Sequence, residues 1–170
     1  MCLFAFRLPL YGRGRGERPK VLKKMERAIT TSEPSVFVQG LSDCRTFNIG
    51  IKPIEDSEFG EPRWECYPKS AIHATLCDIV PPFVAAGFVF TPEEQTAIGQ
   101  HCEPCAYGDL VSAIIDAKYP RQEMDAVRNN YDRVRDGKAG DKAEIYTEEY
   151  EAMQGWRDYA KAVAKSFISS

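Results

Sequence analysis

The sequence predicts an α+β fold: a small antiparallel β-hairpin or three-stranded sheet followed by a C-terminal bundle of three or four helices. Three observations carry that expectation. Residues 47–52 alternate apolar and polar with period two, Thr91-Pro92-Glu93-Glu94 has the chemistry of a helix start, and apolar residues recur at three- and four-residue spacings from Leu110 to Phe167.

The strands come first. SVFVQG, from Ser35, is a short β-rich run, and in TFNIGIKPI the residues Phe47, Ile49 and Ile51 alternate with Asn48, Gly50 and Lys52, as in a half-buried strand. EDSEFGEP is an acidic turn. RWECY follows, with Trp64 and Cys66 on one face and Arg63, Glu65 and Tyr67 on the other. A hairpin alone is marginal in water, so this element needs a helix or a partner to cover it. Between Ala71 and Phe90, IHATLCDIV suits helix or strand equally, and Pro81-Pro82 is expected to end it either way. FVAAGFVF, with Gly87 at its centre, has no clear periodicity.

The helices are better specified. Thr91 as N-cap, Pro92 at the first position and Glu94 at the capping-box position start a short helix over about Pro92 to His101. Leu110, Val111, Ile114 and Ile115 form one face of a second helix, which stops before Pro120. Met124, Val127, Tyr131 and Val134 mark a third, ended by Gly137. After the polar loop KAGDK, Asp141 with Glu144 is expected to cap a long final helix. Its stripe runs through Tyr146, Tyr150, Met153, Arg157, Ala160, Val163 and Phe167. Short connections imply antiparallel packing. The chain thus divides into a basic leader (1–34), a β-rich element with an apolar connector (35–90) and a helical domain (91–170).

Composition narrows the function classes. With 44% apolar and 28% charged residues the chain is globular rather than disordered. Its net charge of −3 hides an asymmetry, because residues 1–24 carry seven Lys or Arg against the single Glu17. That leaves a leader of net +6 and an acidic body, so nucleic acid is expected to be bound, if at all, through the leader alone. The leader reads as a flexible basic arm, or as a start codon placed too early with Met25 as the natural beginning. It is a poor secretory signal, no stretch is long enough to span a membrane, and the expected compartment is a cytoplasm, where six cysteines stay reduced.

One local constellation has chemical promise. In His101-Cys102-Glu103-Pro104-Cys105, the two thiols are spaced to chelate zinc or to cycle between dithiol and disulfide. A four-ligand zinc site would need His73, Cys77 or Cys66 to complete it, and a redox site would want a βαβ setting. A capped loop of reduced thiols is the plainer reading, and zinc binding or thiol redox chemistry through Cys102 and Cys105 is the alternative kept open. His73, between Ile72 and Ala74, reads as a partly buried structural histidine. With two histidines in the chain a nucleophile–base pair is poorly supported, and EDSEFGE, TPEE and YTEEYE read as solvated surface, so the expectation is a protein that is not an enzyme. Among the aromatics of the last helix, Tyr150, Trp156 and Tyr159 cannot all lie on one side, which nominates them as a partner-binding set.

Three stretches taken together add a resemblance. TFNIGIKPI with EPRWECY, YGDLVSAIIDAKYPRQEMDAVRNNY and EEYEAMQGWRDYAKAVAKSFI resemble a group of short proteins of phages and prophages of gut bacteria, often encoded among tail or other virion genes. The likeness covers about residues 44–168. Its most specific elements are Ala117-Lys118-Tyr119, Asn129-Asn130-Tyr131, and Met153-Gln154 ahead of Trp156-Arg157, Ala160-Lys161 and Ala164-Lys165. DGKAGDKAEIYT and the basic leader depart from that pattern. The resemblance implies a virion component or a tail-assembly factor, working by contact with other virion proteins or with itself, in the host cytoplasm during assembly and in the virion. It implies no catalytic residues.

Overall fold

The computed structural model describes residues 25–30, 32–55, 60 and 62–168. Four strands precede five helices, so the mixed α+β class with a C-terminal helical part holds. The strands are β1 (Ala28–Thr30), β2 (Phe37–Gln39), β3 (Cys44–Pro53) and β4 (Trp64–Ile72), in the spatial order β1-β4-β3-β2 with every pair antiparallel. The sheet therefore has one strand more than expected. β1 lies inside the stretch assigned to the leader, where it pairs Ala28 with Cys66 and Thr30 with Trp64. Three residues carry no periodicity; only pairing across the fold defines such a strand. Residues 1–24, the basic part of the leader, lie outside the described residues, as does most of the acidic turn after β3.

A tight turn closes the β2–β3 hairpin. Cys44 N donates to the carbonyl of Leu41, and both central residues, Ser42 and Asp43, take positive φ of 53° and 58°. That backbone twist suits a two-residue hairpin but is normally built on Asn-Gly, which explains why no turn signal was visible there. Farther along, the β3–β4 register shifts between Ile49 and Lys52. Gly50 makes the bulge with φ +66°, and a side chain there would come within 2.8 Å of the Phe88 ring.

The helices are α1 (Leu76–Ala85), α2 (Pro92–His101), α3 (Tyr107–Lys118), α4 (Arg121–Arg135) and α5 (Ala143–Ile168). α1 corrects the expectation that Pro81-Pro82 ends the segment, since it runs through both prolines. Two backbone donors are lost, a substantial cost in a helix interior. Burial offsets it: Ile79, Val80, Phe83 and Val84 are at most 1% exposed. The Asp78 carboxylate also holds the helix start, accepting from Thr75 N at 3.0 Å and Thr75 Oγ1 at 2.7 Å. At the far end Gly87, with φ +87°, and Phe88 return N–H bonds to Val84 and Phe83. The unplaced FVAAGFVF thus splits: Phe83–Ala85 finish α1, and the turn after it brings Phe88 and Phe90 against the core. Phe83 meets both rings edge-on, and Phe90 meets Phe167 of α5 the same way at 5.3 Å.

α2 begins as the sequence reads. Thr91 Oγ1 accepts from Glu94 N at 3.2 Å, while the Glu94 carboxylate accepts from Thr91 N at 2.8 Å. Glu94 also does something sequence reasoning missed. Its second oxygen accepts from Gly50 N at 2.7 Å, so one buried carboxylate ties the β3 bulge to the start of α2. α4 ends at Gly137 (φ +69°), with Gly137 N bonded to Val134 and Lys138 N to Arg133. A 3-10 turn, Gly140–Lys142, leads into α5, and Asp141 lies within that turn rather than standing as the helix cap.

A single core joins sheet and helices through Phe47 and Ile49 of β3, the α1 residues above, Ile98 of α2, Leu110 and Ile114 of α3, and Ala160, Ala164 and Phe167 of α5. Val127, Ala139 and Met153 are buried too, but outside that cluster, in a separate seam between α4 and the first half of α5.

Two substitutions test the bulge clamp. Glu94→Ala leaves two backbone N–H groups without their acceptor and is expected to cost about 1–3 kcal/mol in urea unfolding. Glu94→Gln, which keeps an acceptor oxygen, is expected to cost less. Asp43→Gly relieves a positive-φ residue in the β2–β3 turn and is expected to stabilise by about 1 kcal/mol.

Candidate functional site

Two places carry the candidate residues: the His101–Cys105 segment that follows α2, and the hairpin formed by α4 and α5.

The first is tightly built into the fold. The His101 ring stacks flat on Phe37 of β2, with centroids 3.7 Å apart and planes at 2°, and its carbonyl accepts from Arg45 Nη1 at 3.0 Å. Glu103 N donates to the carbonyl of Ala74 at 2.8 Å, which lays the segment beside the turn into α1. In that turn His73 has φ +49° and a side chain 66% exposed, with Nδ1 3.6 Å from Glu103 Oε1. The partly buried histidine read from its apolar neighbours is therefore an exposed one, because the strand ends at Ile72 and the chain turns outward.

The five described cysteines are all free thiols. Cys102 and Cys105 both line a shallow cavity of about 220 Å³ whose other walls include Leu76, Pro104 and Phe167. The closer partner of Cys105 is Cys77, on the first turn of α1, whose side chain lies within hydrogen-bond reach of it. Neither Cys77 nor Cys102 is disposed to ionise. Burial, and then the neighbouring Cys105, push the Cys77 thiol up to about 12. Burial pushes Cys102 up to about 12 as well, against the weaker opposite pull of Arg45. Disulfide exchange proceeds through the thiolate, so burial of Cys77 and Cys102 disfavours it at those two positions. Cys66 sits in β4, buried, and its thiol too is raised by burial. Among the described residues, no group of three or more His, Cys, Asp or Glu is placed to hold a metal ion.

The aromatic set of α5 is occupied within the molecule. Tyr150 stacks on Tyr131 of α4, centroids 4.0 Å apart and planes at 7°. Trp156 donates from Nε1 to the carbonyl of Ile114 at 3.3 Å, and Lys118 Nζ stands 4.1 Å over its ring. Burial lowers the Lys118 ammonium and raises the Tyr159 phenol. Tyr159, tilted against Trp156 at 5.4 Å, packs on the main core. All three residues are partly exposed and two-sided: one side packs inward and the rest meets solvent.

Sequence reasoning missed the groove between α4 and α5. It has a volume of about 410 Å³, and Tyr119 is among the residues that line it. Ala126, Ala152, the buried Val127 and Ile145, 54% exposed, line it together with Glu123, Glu148 and Glu149. The signal was present in the spacing, since positions 123, 126, 127 and 130 of α4 and 145, 148, 149 and 152 of α5 recur at i, i+3, i+4 and i+7, with Val127 shared with the buried stripe. Their polar content hid them.

Among the described residues no helix is long and apolar enough to cross a membrane. In comparisons with known proteins, no family model, no curated protein and no solved structure matches the chain.

The thiols give a test with a defined sign. Cys77 and Cys102 stay protonated in the folded chain after their unfolded counterparts ionise, so their contribution to stability is complete below about pH 9 and lost as pH climbs from about 9 towards 12. At pH 8, iodoacetamide is expected to modify Cys77 and Cys102 at least about tenfold more slowly in the native chain than in urea, read by peptide mass mapping. Fast native labelling of Cys102 would contradict the assignment.

Proposed function

We propose that this chain is a non-enzymatic accessory protein that acts through protein–protein contacts, with the α4–α5 hairpin as its contact surface. The observation that carries this reading is the hairpin's construction. α4 packs chiefly on α5, through a seam separate from the main core, and so holds a second helical face away from the sheet. A protein that needed these helices only for stability would gain more by burying that face. The resemblance of the helical half to phage and prophage proteins supports the setting: a virion component or a tail-assembly factor.

The test is co-elution in size-exclusion chromatography of the purified chain with phage tail and capsid proteins. Complex formation is expected with one of them, and Ile145→Lys, a change at an exposed position, is expected to abolish it without altering helicity. Failure to associate with every such protein would remove the proposal. Association untouched by Ile145→Lys would place the contact surface elsewhere.

A further inference from the structure

We infer that the groove between α4 and α5 accepts a basic amphipathic helix of a partner protein, laid alongside as the third helix of a local bundle. This rests on the reading of the hairpin as the contact surface, and it adds the partner's chemistry.

Shape argues for a helix. Residues spaced i, i+3, i+4 and i+7 on each of two antiparallel helices flank the groove, which is the arrangement into which a third helix packs its apolar stripe. Ala126 and Ala152 line it with small side chains, so a helix backbone can come close, and Ile145 leaves 54% of its apolar surface exposed.

Charge argues for a basic one. From Ala143 to Trp156, α5 carries Glu144, Glu148, Glu149 and Glu151 and no Lys or Arg. The ion pairs of α4 and α5 join Arg128 to Asp125, Arg135 to Asp132 and Asp136, and Lys161 to Asp158, and among the described residues none engages Glu123, Glu148 or Glu149. The favourable field of a helix N-terminus fades within the first turn, so it accounts for Glu144 and not for Glu148 or Glu149. Unpaired like charges along one helix face cost a few tenths of a kcal/mol per pair, and a cationic partner turns that cost into attraction. The chain's own basic segment, residues 1–24, is a poor fit, because Pro9 and the glycines at 12, 14 and 16 oppose helix formation.

The experiment titrates the full chain against fluorescein-labelled synthetic helices about five turns long. One carries a leucine stripe flanked by lysines, a second has glutamates in place of the lysines, and a third peptide is residues 1–24 of this chain. Anisotropy is expected to show the lysine helix binding at least about tenfold more tightly than the glutamate helix at low salt, with the preference shrinking as salt rises. Glu148→Lys with Glu149→Lys is expected to erase that preference. The same charge change at the exposed Glu26 and Glu33 is expected to leave it intact. Equal binding of the two helices, a preference that survives the groove substitutions, or tighter binding by the 1–24 peptide would each overturn the inference. Failure of both helices to bind while a virion protein still co-elutes would overturn this inference alone.

Discussion

α5 belongs to two packing units, and most of the architecture follows from that. At 26 residues it is about 39 Å long. Its C-terminal half supplies Ala160, Ala164 and Phe167 to the main core, where small residues let α3 approach and Phe167 closes an aromatic chain through Phe90 to Phe83. Its N-terminal half has no place in that core and is covered by α4 instead, through Val127, Met153 and the Tyr131–Tyr150 stack. Trp156 stands at the changeover, bonded to the carbonyl of Ile114 and capped by Lys118, so it fixes α5 against α3 just where the two units meet. A helix held firmly at one end and clad by a single neighbour at the other presents a face that is both ordered and open.

The sheet is tied to this framework by a small number of polar contacts placed where apolar packing alone would leave the register free. Glu94 is the main one, since its two oxygens serve the N–H of Thr91 and of Gly50 together. The bulge at Gly50 turns β3, the Phe88 ring fills the space a side chain would have taken, and Tyr67 packs edge-on against Phe88. His101 on Phe37, with Arg45 bonded to the His101 carbonyl, makes a second tie from α2 back to the sheet. The His101–Cys105 segment therefore has a structural occupation for nearly every residue in it, and burial holds the Cys102 thiol protonated.

What was legible in the sequence was local. Thr91 with Glu94, Gly137 and the long α5 stripe act through contacts within a few residues, and each stands where spacing and capping placed it. What was illegible depended on distant partners. Pro81 and Pro82 marked an end to the segment, yet the burial of Ile79, Val80, Phe83 and Val84 against α3 and the sheet carries the helix through them. β1 exists because β4 pairs with it, and Cys105 meets Cys77 because α1 and α3 lie side by side. The candidate site was half legible: Tyr150, Trp156 and Tyr159 were visible as a cluster, whereas the groove that neighbours them is lined by alanines and glutamates that look like ordinary helix surface.

The division of α5 can be measured directly by native-state hydrogen exchange followed along that one helix. Two packing units predict that amides from 145 to 155 exchange together with those of α4, at least about tenfold faster than amides from 157 to 167, which share the protection of α1 and α3. Uniform protection along all of α5, with α4 matching the main core, would contradict it.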